Sequence, residues 1–222
     1  MTERQIGLIF HGIGTPGREM EPSEAAYWIS VTQFEDILDK IVAQPDRFRI
    51  TFDDGNLSDH DIALPRLIER GLRAESFVLS GRIGLAGSLD AAQILALQDA
   101  GMVIGSHGVA HRDWRRLDDP ALMAELSGSR RALEAICRKS VMTAGIPFGS
   151  YDARVLRALR QAGYGAAYSS DRGPMNPTAF LRPRTSVKGT MTQADIAHIL
   201  SGRMPALSRL RRMISMARRR IG

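Results

Sequence analysis

Phe48-Arg-Ile-Thr-Phe-Asp-Asp-Gly55 is an apolar stretch that runs straight into two adjacent carboxylates and a glycine. Aromatic and β-branched residues stopped by Asp and Gly read as a buried strand with acids at its end. A second stretch, Met102-Val-Ile-Gly-Ser-His-Gly-Val-Ala-His111, has the same form, with two imidazoles after the apolar run Met102 to Ile104. The i, i+4 spacing of His107 and His111 puts both on one face of a helix. In parallel α/β folds the C-terminal strand ends form the functional rim, so groups far apart in sequence meet there. One carboxylate and two neutral imidazoles make a three-ligand set for a divalent ion such as Zn²⁺, with a position left for water. The second carboxylate stays free to take a proton. Taken singly, Asp-Asp-Gly is also what a turn looks like, and two histidines are also ordinary core or surface residues. Their joint position at one rim is what favours a site.

Outward from these two stretches, apolar runs alternate with segments of helical period. Ile6 to Phe10 precedes Thr32 to Val42, Phe48 to Phe52 precedes Pro65 to Arg70, and Ser76 to Leu79 precedes Asp90 to Ala100. Met102 to Ile104 then precedes Pro120 to Arg138, and Val141 to Ile146 precedes Asp152 to Gln161. Ala166 to Ser169 and Leu181 to Val187 supply later strands. Strand, crossover helix and strand in repetition predict a largely parallel α/β sheet that closes into a barrel. Thr32 and Ser88 are candidate helix caps, Pro65 and Pro120 suit first-turn positions, and Gly71, Gly101 and Gly163 stand where helices stop.

Composition narrows the function classes. The 222 residues with 44% hydrophobic content suffice for one domain with a substantial core. Cys137, the single cysteine, excludes an internal disulfide framework and falls in a predicted helix as a buried, inert thiol. Net charge is +6, yet residues 182–222 hold ten Lys/Arg against one acid, Asp195, leaving 20 basic and 23 acidic residues in the first 181. The body is slightly acidic, so there is no electrostatic case for nucleic acid. Met1-Thr-Glu-Arg-Gln leads directly into the first strand without the longer apolar region and cleavage site of a secretory signal, which predicts cytoplasmic residence. No apolar run approaches the roughly 20 residues of a spanning helix.

The chain resembles the polysaccharide deacetylase family, carbohydrate esterase family 4, or NodB homology domain. The likeness runs from about His11 to Val187, through Thr51 to Gly55, Ser106 to His111 and Gly145-Ile-Pro-Phe-Gly149. The connecting segments Ile68 to Phe77 and Leu156 to Gly163 are similar to the family as well. The resemblance implies a distorted (β/α)₇ barrel, assigned to residues 1–204, and the spacing of apolar residues and arginines predicts a basic amphipathic helix over 205–222. The resemblance also implies hydrolysis of an N-acetyl group on an aminosugar-containing oligo- or polysaccharide or saccharide intermediate. By the same likeness Asp53 is the general base, and Asp54, His107 and His111 are the metal ligands, usually for Zn²⁺. The backbone N–H of Phe148 is the oxyanion donor. An O-acetyl esterase on the same fold and a carbohydrate- or metal-binding protein without turnover are the alternatives.

Three departures from the family pattern concern the site. Gly145 stands where the family has an arginine that orients the catalytic aspartate, and Arg184 in Leu181 to Val187 is the candidate replacement. The Leu-x-His segment that protonates the departing amine is missing. His198 reads as a solvated helix residue, whereas His11, at the end of the first strand, is the candidate acid or substrate contact. Gly108 replaces a hydroxyl residue, which predicts a lost hydrogen bond next to the metal ligands. His60 reads as a loop residue. Finally, Leu207, Leu210, Ile214 and Ala217 share one face of the terminal segment, with arginines interleaved. Such a helix suits peripheral contact with an anionic membrane, or docking on the body.

Overall fold

In a computed structural model that describes residues 4–20 and 24–221, with side chains through Arg219, the first strand is β1 (Gln5–Phe10). It is buried along nearly its whole length, as a central parallel strand covered on both faces must be. A small parallel ribbon of β2 (Gly12–Ile13) and β3 (Trp28–Ile29) follows, too short to carry a readable sequence pattern. Helix α1 (Val31–Ile41) buries Phe34, Ile37, Leu38 and Ile41 at helical spacing, and Phe34 meets Phe10 edge-on at 5.1 Å.

From there strand and helix alternate: β4 (Phe48–Asp54), α2 (Leu64–Glu69), β5 (Ala74–Val78), α3 (Ala91–Asp99), β6 (Val103–Ser106). The series continues with α4 (Asp119–Cys137), β7 (Thr143–Gly145), α5 (Ala153–Gln161) and β8 (Ala166–Ser169). No helix separates β8 from the last strands, β9 (Pro174–Met175), β10 (Leu181–Pro183) and β11 (Thr185–Ser186). Two helices end the chain, α6 (Gln193–Ser201) and α7 (Ala206–Ile221).

Hydrogen-bonded neighbours run β10-β8-β7-β6-β5-β4-β1-β11, all parallel, with β9 antiparallel on β1. The first and last names in that order belong to one stretch, Leu181 to Ser186. Its first half pairs with β8 and its second half with β1, so the sheet is a nearly closed, distorted (β/α)₇ barrel with its seam at Arg184. The single strand expected over Leu181 to Val187 is therefore divided, because it must serve two edges.

Other local expectations also change. Asp53 and Asp54 lie inside β4, in register with Phe77 and Val78, rather than in a turn after it. Ser30, not Thr32, caps α1, accepting from the Gln33 N–H, and Asp90, not Ser88, caps α3 in a reciprocal capping box with Gln93. Pro65 and Pro120 stand in first turns, and Gly71, Gly101 and Gly163 take positive φ after their helices. Cys137 is buried at the end of α4, where burial pushes its thiol up.

Helix α7 docks on the barrel, but not by its most apolar face. Met216 is buried, Arg219 pairs with Asp171 at 2.9 Å and lies over the Tyr151 ring, and Arg212 donates to the Asp171 carbonyl. Leu207, Leu210, Met213 and Ile214 stay exposed. Among the described residues no helix is long and apolar enough to cross a membrane.

Candidate active site

Strand β4 alternates, so Arg49, Thr51 and Asp53 share one face, while Asp54 at its end takes a left-handed φ of 80°. Asp53 is buried, and Arg184 grips it with two bonds, Nη1 to Oδ1 at 2.6 Å and Nη2 to Oδ2 at 3.0 Å. The same Nη1 donates to the Thr51 hydroxyl at 2.8 Å, which donates in turn to the Leu8 carbonyl. The guanidinium lies against the rings of Phe77 and Tyr168, at 4.9 and 5.4 Å. Burial pushes the Asp53 carboxyl up, but Arg184, then His107, outweigh it and hold the group below the usual carboxylate value.

Two glycines explain why the arginine comes from the seam and not from β7. A Cβ at Gly145 would stand 2.9 Å from Phe77 Cγ and 3.0 Å from His107 Nδ1, so no side chain fits there. At Gly7 on β1 a Cβ would stand 2.8 Å from Arg184 Cγ. The empty side of Gly7 is the channel for the Arg184 stem.

His107 and His111 are not on a helix. They leave the end of β6 in an irregular loop, and His111 takes a left-handed φ of 52°. The loop is held by a buried residue that its own sequence does not reveal, Glu125 of α4, whose Oε2 accepts from the N–H groups of Val109 and Ala110 at 2.8 and 3.2 Å. Gly108 follows from this arrangement. Its φ is +85°, and a Cβ there would meet Glu125 Oε2 at 2.7 Å, so a hydroxyl residue is excluded by backbone and carboxylate together. The Ser106 hydroxyl accepts from the Gly108 N–H instead.

Asp54, His107 and His111 converge, with one ligand atom of each within 4.8 Å of the others. Asp54 Oδ1 is buried without a hydrogen-bond donor, 3.5 Å from His107 Nε2 and 3.6 Å from His111 Nε2. His107 Nδ1 lies 2.9 Å from the Gly145 carbonyl, so Nδ1 carries the proton and the Nε2 lone pair faces Asp54. Burial, then the neighbouring His107, lowers the His111 pKa to about 4. A donorless carboxylate oxygen facing two imidazole nitrogens fits a divalent cation.

This electrostatic state has a measurable consequence in chelator-treated protein. His111 titrates near 6.5 when unfolded and near 4 when folded, so the stability that its neutral ring contributes is complete above about pH 6.5. It is lost as pH falls toward about 4, and linkage puts it at no more than about 3 kcal/mol. Denaturant midpoints should therefore fall more steeply between pH 6.5 and 4 in the wild type than in His111→Gln. Equal slopes overturn the assignment.

Phe148 follows Pro147 with φ 58°, its side chain 65% exposed and its ring 4.4 Å from that of His111. Asp54, His111 and Phe148 are three of the five non-glycine residues with positive φ among those described, a concentration of backbone strain at one place. His11 follows β1, with its ring 4.8 Å from Tyr27 and its buried Nδ1 without a partner. Burial lowers its pKa, so the ring is neutral at neutral pH. His11, Asp53, Asp54, His107, His111, Phe148 and Arg184 all line one pocket of about 370 Å³, whose outer wall includes Tyr27 and Trp28. His198 is exposed on α6, and His60 lies outside the pocket, in a π-helical turn with its Nδ1 2.8 Å from Asp61. Sequence reasoning also missed Asp59, a buried acid bonded by the Ser76 hydroxyl and pushed well above the usual carboxylate value by burial, then by Asp54 and Asp53.

A family model described as polysaccharide deacetylase matches residues 41–167. That span holds the acids, the imidazole loop and Gly145 to Gly149, but neither His11 nor Arg184. The Bacillus subtilis (strain 168) protein YxkH is 26% identical over 124 residues, 56% of this chain and 44% of YxkH. A chitin deacetylase from Pestalotiopsis sp is 31% identical over 121 residues, 54% of this chain and 40% of that one. The chain thus spans less than half the length of these curated relatives. Among solved structures, the Streptococcus pyogenes deacetylase PplD in complex with acetate superposes with a TM-score of 0.77 at 18% identity, over 90% of this chain and 99% of that one. At that identity the likeness is one of fold.

Proposed function

The chain belongs to the polysaccharide deacetylase family, and from that membership we propose a metal-dependent hydrolase that removes an N-acetyl group from an aminosugar of an oligo- or polysaccharide or saccharide intermediate. The observation that carries this reading is the pairing in one pocket of an arginine-clamped carboxylate with the donorless Asp54 oxygen and two imidazoles.

A divalent cation, Zn²⁺ being the family's usual ion, would be held by Asp54, His107 and His111 and would supply Lewis acidity to a water and to the acetyl carbonyl. Asp53, kept ionised by Arg184, takes a proton from the attacking water. The N–H of Phe148 stabilises the negative oxygen that forms on the acetyl carbon, and removal of a single donor of this kind costs about 3 to 4 kcal/mol. Asp53 then holds the proton that the departing amine needs, and acetate and the free amine leave. His11, a neutral imidazole on the wall of the pocket, serves as a hydrogen-bonding contact to the acyl group or the sugar. The rings of Tyr27, Trp28 and Phe148 offer flat apolar surface to a pyranose face.

The test combines metal content with acetate release on a panel of N-acetylglucosamine oligomers and acetyl esters. His111→Ala should lose bound ion by well over the roughly 10- to 100-fold that changes in outer-shell partners cause, together with turnover. A fully loaded wild type that releases no acetate from any amide or ester overturns the hydrolase reading. Release from esters alone reassigns it to O-acetyl groups.

A further inference from the structure

A larger cleft of about 680 Å³ lies outside the catalytic pocket, between α6, the start of α7 and the loop Asp171 to Gly173. It is lined by five cations, Arg172, Lys188, Arg203, Arg211 and Arg212, and by two acids, Asp171 and Asp195. Both acids are engaged within the fold. The Asp195 carboxylate accepts from the N–H and hydroxyl of Thr192 at the head of α6, and that of Asp171 accepts from Tyr151, Ser169 and Arg219. Arg172, Arg203 and Arg211, by contrast, have no carboxylate within 4 Å among the described residues, whereas the Lys188 ammonium lies over the Tyr27 ring at 4.9 Å. Like charges gathered around one concavity without counterions repel, and that repulsion becomes attraction when an anion enters.

Two further features point the same way. Pro205, just before α7, and Ser208 in its first turn line the cleft, so the positive end of a sixteen-residue helix adds to the field. Arg172 is also held at φ 62°, and its N–H donates to the Arg184 carbonyl at 2.8 Å. Ser170 lines the catalytic pocket while Asp171 and Arg172 line the cleft, so one loop is the common wall of both.

We propose that this cleft is a binding site for a phosphate or pyrophosphate group, independent of the deacetylase reading. Arg forks match tetrahedral phosphate oxygens with short, charge-assisted bonds. The group is supplied either by a soluble phosphorylated saccharide or by a phospholipid headgroup.

Calorimetric titration of the full chain with phosphate and pyrophosphate at constant ionic strength, with chloride as control, tests the site directly. Arg203→Gln/Arg211→Gln is the variant, since both side chains are exposed and its fold is verified by circular dichroism. Saturable binding, tighter for pyrophosphate, should weaken roughly tenfold or more in the variant, as expected for the loss of charged hydrogen bonds. Acetate release from an uncharged short substrate should stay unchanged. Co-sedimentation with phosphatidylglycerol and phosphatidylcholine vesicles separates the sources. Wild-type binding to the former that phosphate displaces identifies a lipid headgroup, whereas saturation by soluble phosphate alone identifies a soluble ligand. Pyrophosphate heat that persists undiminished in the variant belongs to the catalytic cation site. In that case, or if neither phosphate nor anionic vesicles bind, the proposal fails.

Discussion

Asp53→Asn should lower acetate release by about 10²- to 10⁴-fold, the range for removal of a positioned general base, while the bound cation remains. The ion is retained because Asp54, His107 and His111 are untouched. Asn keeps the shape of Asp and one acceptor, but its amide nitrogen turns an N–H toward one Arg184 nitrogen, which already donates there. The proton acceptor is therefore lost without loss of the pocket. Metal analysis beside acetate assays checks both halves, and turnover within tenfold of the wild type would falsify the base assignment. Lost metal would instead mean that Asp53 helps to ligate.

Arg184→Met carries the second large effect, on stability and on the pH profile together. Removing one partner of a buried pair strands the other charge, at a cost of about 3 to 5 kcal/mol. Because Arg184 and Asp53 are both nearly inaccessible, the full range applies. The double variant Asp53→Asn/Arg184→Met should then be more stable than Arg184→Met alone, since the stranded charge is gone. A loss of simple packing predicts the reverse. Activity supplies a second readout. Asp53 works ionised, so the rate falls as pH drops through its pKa, which Arg184 now holds low. Without the guanidinium the largest opposition to the effect of burial is gone, and the acid limb of kcat/KM must move to higher pH. Restoring an arginine at position 145 should not rescue the variant, because Phe77 and His107 occupy that space. An unmoved acid limb contradicts the positioning role.

What was legible without coordinates had a local cause. Runs of aromatic and β-branched residues placed β4 and β6 within a few positions, and the Phe34, Ile37, Leu38 and Ile41 stripe of α1 follows from helical period. The ligand types were legible too, since few residues besides Asp and His can hold such an ion and take up its proton. Caps shifted by two positions, at Ser30 and Asp90, because several residues near each helix start can bond a free N–H and only the path of the chain selects one. The histidine spacing misled about a helix. Two residues four apart meet on a helix, but a loop pulled over Glu125 brings them together as well.

The sequence by itself determined the alternating barrel and the chemical identity of the acids and imidazoles, because both are written in the periodicity and side-chain types of short contiguous stretches. Arg184 was a candidate partner of Asp53 from the sequence, and tertiary structure decided that it reaches the acid across 131 positions, and why. Gly7 leaves a channel, Gly145 leaves none, and the seam of the barrel ends at Arg184. Such contacts are set by the volume that remains when distant strands close on one another, and no local pattern encodes a volume.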